Sequence, residues 1–257
     1  GGYHHEPIDA EEMYNWLKTY GEPLLPYICD TSEYLTKAAD ENKNILFEAQ
    51  LGAMRDIDFG IYPYTSSSNS ISAFSTVGGG IPQCSLDECI GIMKAYSTCV
   101  GEGPFTCELF GEEAEELRKA GNEYGAATGR PRRVGGFDIV ASKYGVRVQN
   151  ATYIALTKLD ILSVLAKIPV CTKYIVNGVE TDKFPTGETA LNEAKPVYEY
   201  LDGWNTDISS CKSFDELPLN AKNYLKFLQK GLNAPITLVS VGADREQYFY
   251  IKKGELN

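Results

Sequence analysis

The stretch Tyr153-Ile154-Ala155-Leu156-Thr157-Lys158-Leu159-Asp160 decides the reading of this chain. An apolar run ends abruptly at a lysine and a carboxylate. That is the pattern of a buried parallel strand whose carboxyl end opens onto a polar loop. Working outward, residues 137–148 before it predict a helix, and a strand is expected at 170–176. A helix over 219–232 leads into another apolar run at 236–241. Upstream, 90–98 (IGIMKAYST) reads as a strand closing at Gly101-Glu102-Gly103-Pro104, and 112–119 as a surface helix. Strands alternating with helices predict an α/β fold, a mostly parallel sheet flanked by helices. In such sheets, ligands bind at the carboxyl ends of the strands.

The front of the chain reads differently. Residues 9–20 predict an acidic amphipathic helix with Met13, Trp16 and Leu17 on one face. A second helix is expected over 32–42, then a short buried strand at 44–48 (NILFE). The stretch 50–82 is rich in Ser, Gly and aromatics, and so long a loop in a compact domain usually has a function. We therefore expect a helical segment over 1–43 and an α/β part over 44–257 that carries the binding loops.

Composition excludes several classes. With 257 residues, 43% hydrophobic and 23% charged, the chain is long enough for a sizeable core. No apolar run approaches the roughly 20 residues that span a bilayer. The polar start around His4 and His5 is unlike a signal peptide. A net charge of -11 argues against nucleic-acid or anionic-membrane partners and fits a solubility role. The seven cysteines include no CxxC pair, and the only histidines are His4 and His5. Neither a zinc site nor a disulfide framework is expected, and reduced thiols suit a cytoplasmic protein.

Three polar clusters could carry chemistry. In Thr157-Lys158-Leu159-Asp160, an ionised Asp160 is a two-oxygen acceptor. It could take both the ring N–H and the amino group of guanine, with the Lys158 stem along the base. Alone, these four residues read more simply as the solvated start of a helix. Ser240-Val241-Gly242 follows a strand, and a small hydroxyl beside Gly lets backbone approach a base or ribose; alone it is an ordinary turn. The third cluster is Gly125-Ala126-Ala127-Thr128-Gly129-Arg130-Pro131-Arg132-Arg133. Guanidinium groups so close together in an acidic chain favour an anion site, a carboxylate or phosphate gripped bidentately. No GxxxxGK[ST] and no strand–GxGxxG–helix unit is present.

Together these clusters resemble the adenylosuccinate synthetases, in order along nearly the whole chain. Phe47-Glu48 through Asp56-Ile57-Asp58-Phe59-Gly60-Ile61-Tyr62-Pro63 is similar to FEGAQG…DIDHGTYP, and Ser66-Ser67-Ser68-Asn69 to TSSN. Lys94-Ala95-Tyr96-Ser97-Thr98, then Val100-Gly101-Glu102-Gly103-Pro104-Phe105, is similar to KAYxTRVGxGPF. Gly121-Asn122-Glu123-Tyr124-Gly125 through Arg133 is similar to GxEFGATTGRxRR, and Leu156-Thr157-Lys158-Leu159-Asp160 to LTKLD. The resemblance implies a GTP-dependent ligase, a homodimer in its complete form, that joins IMP and L-aspartate. It implies the C-terminal part of a phosphate-loop NTPase-like ligase fold.

By the same resemblance, GTP would be bound by Arg132, Lys158, Leu159, Asp160, Ser240, Val241 and Gly242. Aspartate would be held by Ala126, Ala127, Thr128, Gly129, Arg130, Pro131 and Arg132. IMP would meet Gln50, Leu51, Ser66, Val100 and Arg130. Some residues depart from the family: its Gln falls at Leu51 with Gln50 one place earlier, Phe59 replaces a His, Cys99 an Arg, and Ala73-Phe74 a Gly pair. The family's phosphate loop, its catalytic Asp that also binds Mg2+, and its catalytic His match nothing here. No catalytic residue and no metal ligand is therefore expected in this chain, which alone is expected to be inactive. The competing reading is a non-catalytic nucleotide- or amino-acid-binding module.

Overall fold

A computed structural model describes residues 7–126, 128–252 and 254–256. The chain divides into two compact units, one made of residues up to Phe47 together with Thr76–Ser85, the other of Glu48–Ser75 and Leu86 onward.

In the first unit, α1 (Ala10–Gly21) begins where Asp9 accepts a hydrogen bond from the Glu12 N–H at 2.8 Å. Glu11 and Glu12 lie in its first turn and Lys18 in its last, the charges that a helix dipole favours. A 3-10 turn (Glu22–Tyr27) follows, then α2 (Thr31–Asp40), capped by Asp30 on the Glu33 N–H. The apolar face of α1 is present, but Trp16 is 57% and Leu17 55% exposed. The strand expected at 44–48 does not form, and Leu46 is 88% exposed. Composition alone suggested it; a strand also needs a neighbour to receive its backbone, and here the Phe47 ring lies against the Cα of Gly79 instead.

The stretch 50–82 is a loop, carrying 3-10 turns at Ala53–Arg55 and Ser72–Phe74 and a one-turn helix, α3 (Ser75–Gly78). The order of elements is then β1 (Ile90–Lys94), β2 (Ser97–Cys99), α4 (Gly111–Ala120), β3 (Arg133–Gly135), β4 (Phe137–Asp138), α5 (Ile139–Gln149) and β5 (Tyr153–Thr157). After these come β6 (Lys167–Val176), β7 (Val179–Thr181), α6 (Glu188–Glu193), β8 (Lys195–Asp202), α7 (Leu219–Leu232), β9 (Ile236–Ser240) and β10 (Tyr248–Tyr250). The central sheet has the order β1-β5-β9-β10, with β1, β5 and β9 parallel and β10 antiparallel at the edge. In a second sheet β6 pairs parallel with β4 and antiparallel with β7 and β8. A short β2–β3 ribbon is antiparallel.

Two expected boundaries are corrected. The strand read over 90–98 breaks at Ala95-Tyr96, both buried, and β2 leaves for the ribbon. Ala95 closes the ladder by donating its N–H to the Thr157 carbonyl at 2.8 Å, and its own carbonyl accepts from Tyr224 Oη. The helix read from 137 starts at Ile139, because Phe137 and Asp138 pair with β6 and Asp138 then caps the helix on the Ala141 N–H. The helix over 219–232 and the strand at 153–157 form where they were read.

One face of the central sheet is the core. Ile154, Leu156, Val239 and Phe249 are buried with Tyr224, Leu225 and Leu228 of α7. On the opposite face, Ile92, Ala155, Leu238 and Tyr250 form one row across paired strands. There Ile92 is 68% and Tyr250 67% exposed. Parallel sheets usually carry a layer on both faces; among the described residues this row has only a partial one.

Candidate functional site

The carboxyl ends of β1, β5 and β9 lie side by side, since Lys94 is level with Thr157 and Leu156 with Val239. Two of the polar clusters read from sequence, after β5 and after β9, therefore share one sheet edge with Lys94 at the end of β1. At the end of β5 the chain turns sharply. Lys158 takes the left-handed conformation, φ +61°, uncommon for a residue with a side chain. Leu159, wholly buried, pins the following 3-10 turn, and this sets Asp160 at the mouth of the edge. Asp160 Oδ1 is buried with no hydrogen-bond partner among the described residues. Burial raises the pKa of this carboxyl, and the nearby Lys158 only partly offsets it.

Beyond β9, the Ser240 hydroxyl donates to the Gly242 carbonyl at 3.0 Å. Gly242 has no room for a Cβ, because the Gln247 side-chain amide presses on its Cα. Gln247 also accepts from the Asp244 N–H through its side chain, and from the Val241 N–H through its carbonyl, both at 2.9 Å. Sequence reading missed Gln247; only the fold shows that it straps this turn.

Glu123 stands just before the arginine loop, and the sequence alone marks no role for it. It is wholly buried and gathers four partners: Lys94 Nζ at 2.9 Å, Lys158 Nζ at 2.8 Å, Arg132 Nη1 at 2.9 Å and Tyr96 Oη at 2.5 Å. Lys158 Nζ also donates to the Gly121 carbonyl at 2.8 Å. Burial by itself would raise the Glu123 pKa, but hydrogen bonds from Lys158, Tyr96 and Lys94 outweigh it and hold the carboxyl at about 2. Burial lowers the Lys94 pKa against the pull of Glu123. Three cations on one carboxylate leave local positive charge uncompensated, and Arg132 Nε is buried without a partner among the described residues. Such a patch favours an anion.

The arginine loop closes on itself. The Gly125 N–H donates to the Arg130 carbonyl at 2.9 Å, and the Gly129 N–H to the Gly125 carbonyl at 2.7 Å. Gly129 has φ +63°, where glycine carries no strain. The Arg130 N–H reaches Thr128 Oγ1 at 3.3 Å. Ala126, Thr128, Arg130 and Pro131 are exposed, and among the described residues the Arg130 guanidinium has no ion pair. Ala127 lies outside the described residues. Arg133 is committed elsewhere: it binds both Glu108 carboxylate oxygens, at 2.9 and 2.6 Å, and the Gly103 carbonyl at 2.8 Å.

Apart from Arg130, the residues read for a third ligand lie on two segments joined by Arg55. Its guanidinium meets the Tyr64 carbonyl, Cys99 Sγ at 2.9 Å and the Val100 carbonyl at 2.9 Å. Val100 is exposed, and Ser66 is half-buried with its hydroxyl in a turn with Ser68. Gln50 and Leu51 are both exposed, Leu51 at φ +75°. Buried Asp56 holds the loop together, accepting from the N–H groups of Asp58, Phe59 and Ser70.

A parallel sheet with a buried unpaired carboxylate and a cation cluster at its carboxyl edge defines an α/β protein of the ligand-binding class. Within that class, the family model described as adenylosuccinate synthetase matches residues 2–249, and the chain belongs to this family. It is 44% identical over 248 residues to the adenylosuccinate synthetase of Fusobacterium nucleatum subsp. nucleatum, covering 96% of this chain and 58% of that protein. It is 45% identical over 249 residues to the enzyme of that name from Lawsonia intracellularis, with shares of 96% and 58%. The solved structure of fully ligated adenylosuccinate synthetase from Plasmodium falciparum superposes with a TM-score of 0.90 at 38% identity, covering 96% of this chain and 59% of that one. The chain thus spans under three-fifths of the length of these relatives.

Proposed function

We propose that this chain supplies the base-reading and carboxylate-binding loops of a GTP-dependent ligase that joins IMP and L-aspartate to form adenylosuccinate. The observation that carries the reading is the buried, unpaired Oδ1 of Asp160 beside Lys158 at the end of β5. A buried acceptor without a donor costs about 1–3 kcal/mol, a cost that a ligand donor relieves. Guanine offers two adjacent donors on one edge and adenine does not. Asp160 takes both donors, the Lys158 stem lies along the ring, and Leu159, Ser240, Val241 and Gly242 complete the wall.

Arg132 and exposed Arg130 then grip the carboxylates of aspartate, within the loop formed by Ala126, Thr128, Gly129 and Pro131. Arg130 also reaches the IMP ribose, and Gln50, Leu51, Ser66 and Val100 face IMP. In the family's reaction the IMP O6 first takes a phosphoryl group from GTP, and the aspartate amine then displaces that phosphate. The residues of this chain bind and orient for those steps. We place the Mg2+ of the complete enzyme, with its ligands, outside this chain. No helix among the described residues is long and apolar enough to cross a membrane. We place the protein in the cytoplasm, as a homodimer in its complete form.

The test is a titration of the chain with GDP and with ADP. GDP is expected to bind more tightly, and Asp160→Asn to abolish the difference. Equal affinities for the two in the unaltered chain would favour a non-selective binding module. The 257 residues by themselves should form no adenylosuccinate from IMP, aspartate and GTP, since no phosphate-loop motif stands among them.

A further inference from the structure

We infer that Glu123 is a positioning residue that ties the base-reading lysine, Lys158, and the carboxylate-gripping Arg132 to one buried carboxylate, so that the two subsites are set together. This rests on the guanine reading given above. The division of labour between its oxygens is explicit. Oε1 receives Lys158 at 2.8 Å, and Oε2 receives Arg132 at 2.9 Å. The main chain repeats the link, as the Arg132 N–H donates to the Glu123 carbonyl at 2.9 Å. One residue therefore fixes both the neck of the arginine loop and the reach of its second guanidinium.

At the other subsite, Lys158 is held from both ends. Its backbone is constrained at φ +61°, and its ammonium is anchored by Glu123 and by the Gly121 carbonyl. A lysine side chain loses much of its rotamer entropy when immobilised. Glu123 extracts that cost before any ligand arrives, leaving the stem in place for a base. Lys94, the last residue of β1, and Tyr96 just after it brace the same carboxylate. Charge is essential to this arrangement. A glutamine has the same shape but turns an N–H group toward cations, so Lys158 or Arg132 must let go.

The experiment is a double-mutant cycle read in GDP affinity, with Glu123→Gln, Lys158→Ala and the pair. Glu123→Gln alone is expected to weaken GDP about tenfold, the loss of a charge-assisted hydrogen bond. With Lys158 already alanine, the same change should alter affinity less than about threefold. Glu123→Asp, which keeps the charge, should recover part of the loss. A merely structural Glu123 would weaken GDP by the same factor in both backgrounds, and that outcome overturns the inference while leaving the guanine reading intact. An unaltered chain that binds GDP no better than ADP overturns the guanine reading and this inference with it. If Glu123→Gln does not fold, Glu123→Asp takes its place in the same cycle with Lys158→Ala.

Discussion

Asp160 combines two properties that pull against each other. Its buried oxygen lacks a partner among the described residues and burial raises its pKa, so the charged form is disfavoured in the folded chain. A carboxyl with a raised folded pKa contributes stability below its unfolded pKa, and that contribution is lost as pH rises through the folded value. At neutral pH the ionised Asp160 therefore weakens the unliganded fold. Asp160→Asn should raise the melting temperature at pH 7, with the gain shrinking as pH falls below the raised pKa, while preference for guanine disappears. Melting curves across pH beside GDP and ADP titrations check both halves. Glu123 has the opposite sign. Its folded pKa, about 2, lies below the ordinary value of 4.5, so its contribution is present above pH 4.5 and is lost as pH falls toward 2. Glu123→Gln should destabilise the chain by about 3–5 kcal/mol at pH 7, as for a broken buried ion pair. Urea unfolding at pH 7 and pH 3 should show that deficit narrowing in acid.

The loop between α4 and β3 shows what an element adds to a list of arginines. Arg130 is exposed with no ion pair among the described residues, whereas Arg133 binds Glu108 through both oxygens. Arg130→Lys should leave the melting temperature unchanged and, in the complete enzyme, raise the KM for aspartate, lowering kcat/KM by about one to two orders of magnitude. Arg133→Lys loses the planar fork and should destabilise the fold by about 1–2 kcal/mol with little effect on aspartate. Thermal melts and steady-state kinetics of both variants separate the roles; the reverse pattern would shift the loop's register. Charge density alone singled out the loop from sequence, but could not rank its guanidiniums, because partners such as Glu108 are distant in the chain. The same limit hid Glu123 and Arg55, whose importance lies wholly in what the fold brings to them. The strand at 153–157 and the helix at 219–232 were legible because periodicity is local. The segment 44–48 misled because a strand also depends on a neighbour.

At the scale of the whole molecule, the two faces of the central sheet should answer differently to mutation. Leu156 is wholly buried in the core, so Leu156→Ala should cost about 2–5 kcal/mol. Ile92 stands on the opposite face, 68% exposed, and Ile92→Thr should stay within about 0.5 kcal/mol by chemical denaturation. What that half-bare face governs is colloidal behaviour. At pH 7 the charge of -11 makes copies of the chain repel one another, but that repulsion vanishes near the isoelectric point of 4.8. Salt weakens the same repulsion at any pH. Light scattering should therefore climb as pH is lowered toward 4.8, and at neutral pH as salt is added. Ile92→Lys would set a charge at one end of the apolar row, on the edge strand β1, and should delay that rise, so that a purification buffer becomes a probe of the sheet.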